Sequence, residues 1–135
     1  MDGQSTTTPK TRYTKGLAAQ KAIFGDIIER MRQKSPSDQL HIQDFLVANC
    51  FGDYYTRSGL DLKTRELLTF AMLISLGGCE PQVKGHVTGN ILLGNDRARL
   101  IDVTTQLLPY IGYPRTLNAL RVIDEVAPLL AATAN

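Results

Sequence analysis

The segment from Leu62 to Leu76 constrains the fold more than any other part of the chain. It is apolar on nearly every side of a helix, a pattern typical of a helix buried inside a protein. Gly77 and Gly78 end this segment. Pro81 fits the first turn of a following helix, where its missing N–H costs nothing, and Gly94 suits the left-handed position that closes that helix. The sequence therefore predicts a central helical hairpin.

The rest of the chain also favours helices. Apolar residues recur at helical spacing in residues 13–32, 37–51, 96–108 and 114–126. Asp61 and Asp96 are placed to cap the helices that follow them. No segment alternates in the manner of a strand. We therefore predict an all-α fold, a bundle of about six helices joined by short loops.

Composition limits the class of protein. The chain has 135 residues, enough for one domain, and its 15 basic and 13 acidic residues are scattered rather than clustered. Without a cluster of basic residues, the sequence gives no sign of a nucleic-acid-binding surface. The charge balance is compatible with a small anionic organic ligand. The longest apolar run is too short to span a membrane, and the N-terminus lacks the apolar region of a signal peptide. We expect a soluble, cytoplasmic protein.

The N-terminal residues differ in composition from the rest. Residues 1–11 are rich in Ser, Thr, Gly and Pro and contain no apolar residue after Met1. Such a segment cannot bury an apolar face. We predict a flexible tail over residues 1–11 and one folded domain over residues 12–131.

His86 and Glu66 are the first candidates for catalysis. Imidazole can give and take a proton near neutral pH, although a histidine in a core or on a surface is the more common case. Glu66 lies near the start of a very apolar helix, where a buried carboxylate needs an imidazole or arginine partner. An exposed Glu favoured by the helix dipole is the alternative.

Cys79 is a third candidate, because it lies at or just before a helix N-terminus, which activates a thiol. Two Cys and two His without paired spacing do not make a zinc motif, so we predict no metal. Cys50 and Cys79 also cannot form the disulfide framework of a small secreted domain.

Two glycines, Gly85 and Gly89, share one face of the predicted helix that carries His86. Each costs about 1 kcal/mol in helix propensity relative to Ala. Close approach of another helix is the more common explanation for such glycines. Room for a ligand beside His86 is the other.

Several blocks of the second half of the chain resemble the carboxymuconolactone decarboxylase family, within the alkyl hydroperoxidase D-like superfamily. These blocks are Arg65-Glu66, Cys79-Glu80-Pro81 with His86 seven residues after Cys79, Tyr110-Ile111-Gly112-Tyr113-Pro114 and Asn118-Ala119-Leu120-Arg121. The resemblance extends over about residues 12–126. It implies a helical homo-oligomer, such as a trimer or hexamer, with sites near subunit interfaces.

The chain departs from parts of the family's pattern. The alkyl hydroperoxidase D branch carries Cys-x-x-Cys before its histidine, and here Gln82 occupies the position of the second cysteine. Dithiol chemistry is therefore unavailable within this motif. Residues 50–55 occupy a stretch where the decarboxylase branch usually has tryptophans, and this chain has none. If the aromatic residues of this stretch shape the substrate pocket, a different substrate is expected.

The resemblance implies a carboxy-lyase that needs no cofactor and removes carbon dioxide from a carboxylated lactone formed during the breakdown of aromatic acids. On this hypothesis His86 donates a proton, Glu66 orients His86, and Arg57 or Arg121 binds a substrate carboxylate. Tyr54, Tyr55 and Tyr110 are candidate phenolic donors to the lactone carbonyl, although a structural role is more common for such tyrosines. Two alternatives stay open: a peroxide or thiol oxidoreductase based on Cys79, with peroxiredoxin-type activity, and a non-catalytic oligomeric binding protein.

Overall fold

A computed structural model describes residues 3–130 of the chain. These residues form seven α-helices, one π-helix and one 3-10 turn, and none of them lies in a strand. The α-helices are α1 (Arg12–Phe24), α2 (Ile27–Lys34), α3 (Leu40–Phe45), α4 (Leu62–Leu76), α5 (Glu80–Leu92), α6 (Arg97–Ile111) and α7 (Tyr113–Val126). The predicted all-α class is confirmed, and the helices are compatible with a bundle of the alkyl hydroperoxidase D type.

The helix count differs from the prediction at two places. The first predicted helix is divided into α1 and α2 at Gly25, whose φ of 70° a helix cannot accommodate. The second begins with the 3-10 turn Ser37–Gln39 and continues beyond α3 as the π-helix Leu46–Tyr55. The helical segment predicted over residues 37–51 therefore extends to Tyr55, and Gly52 lies inside that π-helix. No helix of residues 3–130 is long and apolar enough to cross a membrane.

The chain divides into two compact units, Met1–Arg65 and Glu66–Asn135. In the first unit, α1 crosses the π-helix with the two backbones in direct contact. A Cβ atom on Gly16 would lie 2.0 Å from the Val47 carbonyl oxygen, and one on Gly52 would lie 2.2 Å from the Arg12 carbonyl oxygen. Phe51 packs beside this crossing, 4.8 Å from the ring of Tyr55. Glycine at both positions is what allows the helices to approach this closely.

Polar contacts surround that crossing. Arg12 forms a two-point ion pair with Asp53, and this guanidinium lowers the pKa of the Asp53 carboxyl. Gln4 N–H donates to Ser58 Oγ at 2.8 Å, and Ser58 N–H donates to the Gln4 carbonyl at 3.0 Å. The described part of the N-terminal segment is therefore hydrogen-bonded to residues that follow the π-helix. Its flexibility in solution stays a prediction, and residues 1–2, like the predicted domain end at residue 131, lie outside the described residues.

The second unit is built on the hairpin of α4 and α5, against which α7 packs. Its apolar core takes residues from four helices: Phe70, Ile74, Val83, Val87, Leu100, Ala119, Val122 and Ile123. Gly77 and Gly78, with φ of 72° and 73°, make the predicted turn between the hairpin helices. Both predicted caps are also confirmed, since Asp61 Oδ1 accepts from Thr64 N–H at 2.8 Å and Asp96 Oδ1 accepts from Arg99 N–H at 2.9 Å.

Candidate functional site

The hairpin of the second unit brings Glu66 and His86 into direct contact. Glu66 lies on α4 and is fully buried, and its Oε1 is 2.5 Å from Nδ1 of His86 on α5. The His86 side chain is 20% exposed. A buried carboxylate without a hydrogen-bonded partner would be strongly unfavourable, and the imidazole supplies that partner. The structure thus places the two leading candidates at one site.

This arrangement suits proton transfer. A carboxylate on Nδ1 fixes the orientation and tautomer of the ring. Nε2, on the far side of the ring from Glu66, is then the nitrogen that can exchange a proton with a bound molecule. No group of three His, Cys, Asp or Glu residues that could hold a metal occurs in residues 3–130.

Two residues of this site were missed by the sequence reasoning, Asn90 and Asn95, which are 0% and 1% exposed. Asn90 continues the buried positions of α5 that Val83 and Val87 begin, at helical spacing. An Asn at a core position of a helix requires hydrogen-bond partners inside the protein, and this periodicity was the signal that would have found it.

Cys79 is the N-cap residue of α5, as predicted, but its side chain makes no capping bond. Its thiol donates a hydrogen bond to the Leu73 carbonyl oxygen at 3.3 Å. Beside it, Arg115 and Asn118 help to line a cavity of about 10 Å³, which is room for one water molecule. Cys50 forms no disulfide and belongs to the first unit.

The predicted substrate-binding residues fall into both units. In the first, Tyr54 and Arg57 come together at an open depression of about 460 Å³ that also includes Arg12 and Asp53. Arg57 donates a hydrogen bond to the Gly3 carbonyl, which gives it a structural contact as well. In the second, Tyr110 at the end of α6 is 81% exposed. Arg121 is exposed on α7. Their roles in binding stay predictions.

The two glycines beside His86 have different surroundings. Gly89 is buried, whereas a Cβ atom on Gly85 would have no neighbour within 4 Å. Close approach of another helix among residues 3–130 therefore does not explain Gly85. Room for a ligand at Gly85 stays a prediction.

The model of the carboxymuconolactone decarboxylase family matches residues 41–125, more than half of the chain. The chain belongs to that family. The matched region contains the whole α4–α5 hairpin with Glu66, Cys79 and His86. The family resemblance predicted from the sequence is thereby confirmed.

Two relatives are similar in sequence to this member of the carboxymuconolactone decarboxylase family. It is 26% identical over 116 residues to a 4-carboxymuconolactone decarboxylase of Acinetobacter baylyi, covering 85% of this chain and 86% of the relative. It is 28% identical over 100 residues to an uncharacterised 15.0 kDa protein of Paracoccus denitrificans from the nqo9-nqo10 intergenic region, covering 73% and 69%.

Proposed function

We propose that this chain is a decarboxylase that needs no cofactor and acts on 4-carboxymuconolactone or a related carboxylated lactone. The observation that carries the proposal is the buried Glu66 carboxylate, 2.5 Å from Nδ1 of His86. The proposal is supported by the family of the chain and by the name of the Acinetobacter baylyi relative.

The reaction can proceed without a cofactor because the substrate supplies its own electron sink. The bond between the ring carbon and its carboxylate breaks, and the electron pair passes through the ring double bond to the lactone carbonyl oxygen. Carbon dioxide leaves. One proton then adds to the ring carbon next to the carbonyl and gives the enol-lactone. The protein must stabilise charge on the carbonyl oxygen and deliver that proton.

In this mechanism His86 delivers the proton from Nε2, and Glu66 orients the ring through its contact with Nδ1. After each turnover, His86 regains a proton from water. This assignment uses the one part of the second unit where a buried carboxylate meets a partly exposed imidazole. The water-poor surroundings of Glu66 strengthen its electrostatic effect on the ring.

The remaining roles follow the sequence prediction. In the second unit, Arg121 holds a substrate carboxylate and the phenol of Tyr110 donates to the lactone carbonyl, whereas the roles of Arg57 and Tyr54 in the first unit stay predictions. Guanidinium groups suit this task because they form two parallel hydrogen bonds to a carboxylate. Arg121 is the simpler candidate to test, since replacing Arg57 also removes its hydrogen bond to Gly3.

We do not assign the reaction to Cys79. Its thiol is hydrogen-bonded to a backbone carbonyl, and its neighbouring cavity holds only a water-sized volume of about 10 Å³. A peroxide or thiol reaction at Cys79 is the competing proposal. It would be favoured if alkylation of Cys79 abolished turnover.

We further propose that the enzyme is a homo-oligomer, a trimer or hexamer, because α4 carries an apolar stripe on its surface. Leu68, Met72 and Leu76 lie four residues apart on one face and are 45%, 62% and 69% exposed. Light scattering on the purified chain is expected to give three or six times the mass of one chain. A monomer at micromolar concentration would contradict this proposal.

The proposed activity is tested directly by turnover. We expect purified protein, after treatment with a metal chelator, to convert enzymatically generated 4-carboxymuconolactone, followed by its ultraviolet absorbance and by release of one carbon dioxide per substrate. Absence of turnover by a folded, oligomeric protein would contradict the proposed substrate. The assay should then move to other carboxylated lactones and to peroxides.

A further inference from the structure

A single buried side chain joins the backbones of the two residues of the proposed dyad. The amide nitrogen of Asn90, Nδ2, donates to the Glu66 carbonyl oxygen at 3.0 Å and to the His86 carbonyl oxygen at 2.8 Å. Asn90 is completely buried. Since Glu66 is on α4 and His86 is on α5, this amide ties the two helices together at the level of the dyad.

Asn95 fixes the orientation of that amide. Its Nδ2 donates to Asn90 Oδ1 at 2.9 Å, and its backbone N–H donates to the Asn90 carbonyl oxygen at 2.9 Å. Gly94, with a φ of 89°, lets the chain turn back after α5 so that Asn95 reaches Asn90. With Oδ1 accepting from Asn95, both hydrogens of the Asn90 amide are directed to the two carbonyls. Aspartate cannot replace Asn90, because it has no N–H to donate.

We propose that Asn90, oriented by Asn95, is a positioning residue that sets the contact between the Glu66 carboxylate and the His86 imidazole. The carboxylate and the ring belong to the two residues whose backbone carbonyls Asn90 holds. A shift of one backbone relative to the other therefore changes the distance between Oε1 and Nδ1. Misplacement of a catalytic group by about 1 Å can cost about 10²-fold in rate. The kinetic part of this inference depends on the proposed decarboxylase function, and the geometric part does not.

The test is Asn90→Leu, which keeps a side chain of similar size but removes both donors. The first readout is the NMR signal of the His86 Nδ1 proton in ¹⁵N-labelled protein, assigned with the aid of His41→Gln because the chain has two histidines. We expect this hydrogen-bonded signal in the wild type and its loss or displacement in Asn90→Leu. The second readout is turnover, where kcat should fall about 10- to 100-fold while KM stays within about twofold.

Thr104→Val is the matched control. Thr104 is 1% exposed in the same unit, and its hydroxyl donates to the Leu100 carbonyl at 2.8 Å within its own helix α6. Its replacement removes a buried hydrogen bond without touching the dyad. We expect the His86 signal and kcat of this variant to match the wild type. An equal change in Thr104→Val would mean that any loss of buried polar contact disturbs the dyad, and would overturn the inference.

A second variant keeps the inference testable if Asn90→Leu does not fold. Asn95→Ala leaves the Asn90 amide in place but removes the hydrogen bond from Asn95 Nδ2 that orients it. We therefore expect a smaller change of the His86 signal in the same direction. An unchanged His86 signal in whichever of these variants folds overturns the positioning role. If the wild type does not convert the lactone, the proposed function fails, and the NMR signal alone still decides the role of Asn90.

Discussion

Replacing His86 with glutamine is expected to lower kcat for 4-carboxymuconolactone by about 10²- to 10⁴-fold, the usual contribution of a general acid. Glutamine is of similar length and can still contact Glu66, but it cannot deliver a proton. Because the variant should bind the lactone through the same cation and phenol, KM should change little. Steady-state kinetics by ultraviolet absorbance, with carbon dioxide release as a second measure, checks this result.

His41→Gln is the control for this substitution, because it makes the same chemical change elsewhere. His41 is exposed on α3, where its ring contacts that of Phe45 at a centroid distance of 5.9 Å. We expect wild-type kinetics for this variant. Wild-type kcat in a folded His86→Gln protein would contradict the proton-donor role. An equal loss in both variants would indicate an effect of the substitution other than loss of the proposed donor.

Glu66→Gln separates orientation of the ring from delivery of the proton. The amide keeps the size of the side chain but replaces the carboxylate that orients the ring at Nδ1. We expect a smaller fall in kcat than for His86→Gln. Loss of a buried hydrogen-bond partner can also cost about 1–3 kcal/mol of stability. Turnover should therefore be measured well below the melting temperature of each variant, with circular dichroism confirming the fold.

The sequence was sufficient to predict the hairpin that carries this dyad. The apolar segment from Leu62, the glycine pair and Pro81 act locally, so their effect does not depend on the rest of the protein. The π-helix could not be predicted in the same way. Its wider turn coincides with the place where α1 and the π-helix touch at Gly16 and Gly52, a contact between distant segments. Local propensity contains no information about such a contact.

The candidate site was predicted in part, for a similar reason. His86 and Glu66 could be named from their chemistry, and the need of a buried carboxylate for a partner suggested that they meet. Their distance depends on the register of α4 against α5, which Asn90 holds through backbone carbonyls. A hydrogen bond to a backbone carbonyl cannot be recognised from residue identity, because every residue has a backbone carbonyl. Asn90 was recognisable only as a polar residue at a core position.

Gly16→Ala is expected to destabilise the first unit strongly. The added Cβ would lie 2.0 Å from the Val47 carbonyl oxygen and 2.7 Å from the Gly52 nitrogen. Both are backbone atoms, so no side-chain rotation can relieve the overlap. Overpacking lowers the free energy of unfolding by about 1–3 kcal/mol and sometimes more. For Gly16→Ala we expect a loss at or above the upper end of that range. Thermal unfolding should show a melting temperature roughly 10 °C lower, or no cooperative transition.

The same substitution at Gly85, Gly85→Ala, is expected to have the opposite effect on stability. Its Cβ would have no neighbour within 4 Å, so alanine should stabilise α5 by up to about 1 kcal/mol through helix propensity. The two variants together separate the effect of close backbone contact from the intrinsic preference for alanine in a helix. Equal melting temperatures for Gly16→Ala and Gly85→Ala would contradict the direct crossing of α1 and the π-helix. A more stable Gly85→Ala protein that has lost turnover would instead support the use of the space beside His86 by the substrate.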